Sequence, residues 1–155
     1  LIESSNRAAF TLAEIIGEDK FIALMNKKAQ EIGLIHTHFQ DSTGLGESSY
    51  STARDLAVLS KYLFEKHPLF REIISLKEYN LYLGNGRFHH KLVNTNKMLE
   101  RAGIMGGKTG WTDFSKGCFM VIQKNPGDKS YLIHVILGAE DRFLEMEKLI
   151  SNYSN

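Results

Sequence analysis

Two apolar runs near the end of the chain, residues 117–124 and 130–138, are separated by Asn125-Pro126-Gly127-Asp128. Runs of this length bounded by turn-forming residues are strand-like, and so short a connection lets them meet only as antiparallel neighbours. Their near-continuous apolar character predicts strands buried on both faces. A sheet of that kind needs helices above and below it. Of everything in the sequence, this pair leaves the fewest folds open.

The rest of the chain supplies the cover. Ala8, Ala9, Leu12, Ala13 and Ile16 recur at helical spacing before Gly17, and Ile22, Met25, Ala29 and Ile32 do so before Gly33. A polar stretch follows as loop, centred on Asp41-Ser42-Thr43-Gly44-Leu45. Thr52 and Asp55 have capping-box spacing ahead of Leu56, Leu59 and Leu63, and Pro68 closes that helix. Residues 77–83 and 87–93 flank Asn85-Gly86, a hairpin signal. Asp141 is placed to cap a last helix bearing Phe143, Met146, Leu149 and Ile150. Helices, then strands, then one closing helix predict an α+β fold, a three-layer αβα sandwich around an antiparallel sheet.

Size and charge exclude several function classes. The 155 residues suit one domain, 1–155, with a proper core. Nineteen basic against eighteen acidic side chains give a net charge of +1, so no nucleic-acid partner is expected. No apolar run approaches the roughly 20 residues of a membrane span. Cys118 is the single cysteine, which rules out a disulfide framework within the chain or a multi-cysteine zinc site. Placed in an apolar run, it is expected to be a buried, inert thiol. His36, His38, His89 and His90 lack supporting acids at metal-ligand spacing, so neither a metal nor another cofactor is expected. Asn152-Tyr153-Ser154 fits a glycosylation sequon, at chance level.

Two short motifs carry chemistry. Gly106-Gly107-Lys108-Thr109-Gly110-Trp111-Thr112 can present an ammonium, hydroxyls and an exposed backbone amide to one small anion, with glycines admitting close approach. Taken alone, the triplet also fits an ordinary Gly-rich turn. Ser4-Ser5-Asn6, just before the first helix, equally fits a helix cap. Together and in this order, Ser-x-Asn and Lys-Thr-Gly are two of the three signatures of penicillin-binding proteins and serine β-lactamases.

With Met25-Asn26-Lys27-Lys28-Ala29, Thr37-His38-Phe39, Gly44-Leu45, the segment from Tyr50-Ser51-Thr52 to Ala57, and Asn94-Thr95-Asn96, the chain resembles low-molecular-mass serine D-Ala-D-Ala carboxypeptidases. The likeness runs from Leu1 to about Tyr153. It implies a β-lactamase/transpeptidase-like sandwich, incomplete at the N-terminus, with the Lys108 strand at one sheet edge and Ser4 and Asn6 facing it. It implies that Ser4 relays a proton and that Asn6 holds the general-base lysine and the substrate carbonyl. Lys108 would supply positive potential. Thr109 and Thr112 would bind the substrate carboxylate beside Gly110, the Trp111 N–H would form half of an oxyanion hole, and Arg142 would orient the threonines. Expected ligands are the peptidoglycan stem peptide ending in D-Ala-D-Ala and β-lactam inhibitors, in an extracytoplasmic setting at the bacterial cell envelope.

The family's Ser-x-x-Lys, which puts nucleophile and base on one helical face, is missing: no serine, threonine or cysteine here is followed three residues later by lysine. The chain is therefore expected to be a fragment, inactive as given. Two other readings stay open at this stage, a catalytically dead peptide- or partner-binding member and a β-lactamase. The carboxypeptidase-like segments between residues 25 and 57 weigh against the latter.

Overall fold

The computed structural model describes residues 1–153, so the sequon's Ser154 lies outside the described residues. Helices come first, α1 (Asn6–Glu14), α2 (Glu18–Glu31), α3 (Ala53–Lys66) and α4 (Pro68–Ser75). Strands β1 (Glu78–Tyr82), β2 (Phe88–Val93), β3 (Ile104–Thr112), β4 (Lys116–Lys124) and β5 (Tyr131–Ala139) follow, and α5 (Arg142–Tyr153) closes the chain. Helix α4 was not expected. Pro68 does end α3, but it also occupies the first turn of the next helix, where its fixed φ and missing N–H cost nothing. Ile74 of α4 is 1% exposed and belongs to the core.

The main sheet has the order β3-β4-β5, all antiparallel. β4 is central, and its alternating residues build two cores. Phe119 and Val121 pack with Met98 and Met146 on the α5 side. Met120 and Ile122 pack with Phe64 of α3 and Ile74 of α4 on the other. Each fully buried side chain of this size contributes roughly 1.5–3 kcal/mol. The αβα sandwich is thus present, with β3 at one edge of its sheet. The β1–β2 hairpin forms a separate two-stranded sheet, with its turn at residues 83–87.

One expectation is corrected. β5 is not buried on both faces: only His134 is buried along it, and Leu137 is 40% exposed. Among the described residues its one strand neighbour is β4. On α1 Ala13 is buried and Leu12 is exposed, while Ile16 lies past the end of the helix.

Capping carries the local folding. Thr52 accepts the Asp55 N–H at 3.1 Å, as its spacing predicted. The Asp55 carboxylate instead accepts the His36 N–H and the Thr37 hydroxyl, both at 2.8 Å, and so pins the loop to α3. Asp141 accepts the N–H groups of Phe143 and Leu144 at the start of α5.

Candidate active site

Ser4-Ser5-Asn6 divides its labour. Ser5 is the cap of α1, its hydroxyl accepting the Ala8 N–H at 3.2 Å. Ser4 sits one residue earlier with φ at 56°, a left-handed conformation uncommon for serine and typical of functional sites. Its hydroxyl oxygen accepts a hydrogen bond from Lys108 Nζ at 2.5 Å, across 104 residues of sequence. With that oxygen accepting, the hydroxyl hydrogen of Ser4 is left to donate elsewhere.

Lys108 lies on edge strand β3, and its Nζ also donates to the Thr109 carbonyl at 2.5 Å. Burial pushes its pKa below the usual lysine value, and the charge of Arg142 adds to the effect. Arg142, the first residue of α5, donates from Nη1 to the Gly110 carbonyl at 2.8 Å. Gly117 permits that approach: a Cβ there would lie 2.6 Å from the Ala139 carbonyl and 3.1 Å from Arg142 Cβ. Thr109 shares a 2.6 Å hydrogen bond with Thr95, and the Thr112 hydroxyl meets Ser115 Oγ at 2.8 Å in the β3–β4 turn. If Thr95 is the donor, the Thr109 hydroxyl keeps its own hydrogen for a ligand.

These residues surround one cleft of about 410 Å³, and Ser4, Asn6, Lys108, Thr109, Gly110, Trp111, Thr112 and Arg142 all line it. Asn6 is exposed on its wall, and the described hydrogen bonds include none between its side chain and Lys108. Trp111 stands at the rim, 48% exposed. Sequence reasoning did not place Thr43, Leu45, Thr95, Ser115 or Cys118 here. Cys118 corrects an expectation, being a half-buried cleft residue whose Sγ donates to the Ser115 carbonyl at 3.7 Å. It pairs with Gly110 across the strands, a register the sequence did not reveal. Thr95 was visible within Asn94-Thr95-Asn96, but nothing there marked its direction.

The lining holds two cations, several hydroxyls and no carboxylate or imidazole. Such a cleft suits a small anion, and among its described lining residues Lys108 is the amine bonded to a hydroxyl, that of Ser4.

Comparison with known proteins agrees with this chemistry. The family described as D-alanyl-D-alanine carboxypeptidase matches residues 1–141. The chain is 33% identical over 156 residues to D-alanyl-D-alanine carboxypeptidase DacF of Bacillus subtilis, covering 96% of this chain and 39% of that protein. It is 35% identical over 161 residues to DacC of Escherichia coli, covering 97% and 38%. The chain thus spans about two fifths of the length of these curated relatives. Among solved structures, penicillin-binding protein D2 of Listeria monocytogenes in its cefotaxime-bound form superposes with a TM-score of 0.85 at 32% identity, over 97% of this chain and 62% of that one. A D-alanyl-D-alanine carboxypeptidase from Mycobacterium tuberculosis gives 0.79 at 31% identity, over 90% and 53%. The chain belongs to the D-alanyl-D-alanine carboxypeptidase family.

Proposed function

We propose that these residues form the cleft-bearing part of a serine-type D-Ala-D-Ala carboxypeptidase, which removes the terminal D-alanine from peptidoglycan stem pentapeptides. The observation that carries this reading is the 2.5 Å hydrogen bond from Lys108 to Ser4, inside a cleft whose described lining carries the charges of Lys108 and Arg142.

In the proposed reaction, a serine outside this chain attacks the penultimate D-Ala carbonyl and gives its proton to a paired lysine. The carbonyl oxygen becomes an oxyanion, held in part by the Trp111 N–H on the open edge of β3. Collapse expels D-alanine, whose amine takes a proton relayed through Ser4, and water then hydrolyses the acyl-enzyme. Asn6 holds the paired lysine and the substrate carbonyl. The terminal carboxylate lies against Lys108, Thr109 and Thr112, with charge-assisted bonds stronger than neutral ones. Arg142 fixes the strand carrying them through the Gly110 carbonyl. β-Lactams, which carry a carboxylate at the matching place, are inhibitors in this reading. Peptidoglycan lies outside the cytoplasmic membrane, which sets the protein there. Among the described residues no helix is long and apolar enough to cross a membrane.

The test has two arms. The complete protein is expected to release D-alanine from a pentapeptide and to retain labelled penicillin after denaturation. The 155-residue chain alone, without Ser-x-x-Lys, is expected to retain none. Label surviving denaturation on the short chain would overturn the assignment of an external nucleophile. The missing motif also favours a second reading, a non-catalytic binder of peptidoglycan peptides. A gene that encodes no Ser-x-x-Lys upstream of Leu1 would select it.

A further inference from the structure

An anion accepts hydrogen bonds and donates none, so what a cleft offers it depends on where the hydroxyl hydrogens go. The hydroxyls of Ser4, Thr43, Thr95, Thr109, Thr112 and Ser115 line this one. Thr43 gives its hydrogen to Asp41 Oδ1 at 2.5 Å, and the same carboxylate accepts the N–H groups of Gly44 and Gly46, both at 2.7 Å. Burial opposes ionisation of Asp41, and the bonds from Thr43, Gly46 and Gly44 outweigh it, holding its pKa down to about 2. Thr43 is therefore committed throughout the neutral range. Thr112 stands differently, because its oxygen accepts the Ser115 N–H at 2.9 Å, a backbone donor.

Thr109 depends on a side chain. It is 5% exposed, and its hydroxyl meets that of Thr95 at 2.6 Å. Two arrangements are open to the pair. If Thr109 donates, its hydrogen points to Thr95 and is withheld from a ligand. If Thr95 donates, the Thr109 oxygen is satisfied and its hydrogen is free. An anion in the cleft selects the second, since hydroxyls donating in one direction strengthen one another.

The chain fixes Thr95 in place for this. Both flanking asparagines turn onto backbone. Asn94 Nδ2 donates to the Leu76 carbonyl and Asn94 Oδ1 accepts the Asn96 N–H, both at 2.8 Å, while Asn96 Oδ1 accepts the Met98 N–H at 3.0 Å. The Thr95 N–H donates to the carbonyl of Ile2, two residues before Ser4, at 3.2 Å. Thr95 is thus held by its backbone to the Ser-x-Asn segment and by its side chain to the Lys-Thr-Gly strand.

We propose that Thr95 is a positioning residue for the ligand carboxylate: its hydroxyl donates to Thr109 Oγ1 and so turns the Thr109 hydrogen toward the anion. The inference rests on the carboxypeptidase reading, which places the terminal carboxylate against Thr109.

The experiment uses the complete protein with diacetyl-lysyl-D-Ala-D-Ala and its C-terminal amide. Thr95→Val keeps the shape of the side chain and removes the donor. It is expected to lower the carboxylate-to-amide ratio of kcat/KM by about tenfold, the scale of one hydrogen bond. Thr95→Ser, which keeps the hydroxyl, should restore most of the ratio. In a Thr109→Val background, Thr95→Val should lower it no further, because the residue acts through Thr109. The inference is overturned by an unchanged ratio in Thr95→Val, by an equal loss on both peptides, by failure of Thr95→Ser to recover it, or by full additivity with Thr109→Val. Failure of the carboxypeptidase reading would show separately, as no D-alanine release from the carboxylate peptide by wild type. The same ratio, read from equilibrium affinities, then decides the role of Thr95.

Discussion

Lys108 makes two donations, to Ser4 and to the Thr109 carbonyl, while Arg142 raises the cost of its charge. Lys108→Ala in the complete protein should therefore slow penicillin acylation by roughly two to four powers of ten, the loss expected when several kcal/mol of transition-state stabilisation go. Lys108→Arg should recover part of it, since a guanidinium keeps the charge and changes the geometry. Acylation of Lys108→Ala at close to the wild-type rate would make the strand merely structural. Next to it, Gly107 shows how tightly β3 is seated. A Cβ there would lie 2.5 Å from the Met120 carbonyl and 2.8 Å from Asn96 Nδ2. Gly107→Ala is expected to cost about 1–3 kcal/mol in denaturant unfolding, as overpacking does elsewhere.

At the scale of elements, three buried or bonded titratable groups make stability sensitive to acid in two separate windows. His134 of β5 is 5% exposed, bonded to Gln123 Oε1 at 2.9 Å and packed edge-on to Tyr153. Burial lowers its pKa from 6.5, so the unfolded chain binds the proton more readily. The stability this contributes is present above 6.5 and is lost as pH falls below it. Urea midpoints measured from pH 8 to 5 should decline for wild type and decline less for His134→Gln. Asp41 acts lower. Its folded pKa of about 2 lies below the ordinary 3.8, so its contribution is present above 3.8 and disappears toward 2. Asp55 has the same direction: burial opposes its ionisation, and the bonds from Thr37 and His36 outweigh it. Both carboxylates hold the α2–α3 loop, so acid should weaken β5 through His134 first and loosen that loop only at lower pH.

For the whole molecule, β4 is the keystone because both cores meet on it. Phe119 is 1% exposed and stacks edge-on against Phe143 of α5 at 5.2 Å. Phe119→Ala should destabilise by about 3–5 kcal/mol, measured by denaturant titration. The same strand seats the cleft: β3 hangs from it on one side, and Gly117 at its start lets Arg142 reach the Gly110 carbonyl. A loss of core packing at Phe119 should therefore lower ligand binding along with stability.

Local sequence decided much of this protein. Periodicity marked α1, α2, α3 and α5, turn chemistry marked the β1–β2 hairpin, and the two apolar runs marked β4 and β5, because each signal acts over a few residues. Lys-Thr-Gly and Ser-x-Asn named the polar wall for the same reason, being short and contiguous. Tertiary structure decided what depends on neighbours far along the chain. α4 was hidden because a proline that stops one helix also starts another, and only packing of Ile74 shows that it does. β5 reads as fully buried, yet among the described residues it has a strand on one side only, because burial depends on what lies beside a strand and not on its own composition. Cys118 reads as core and lies on the cleft, because strand register sets the side on which it emerges. Thr95 and Leu45 reached the site by chain reversal, and no local pattern encodes which residues a fold will bring face to face.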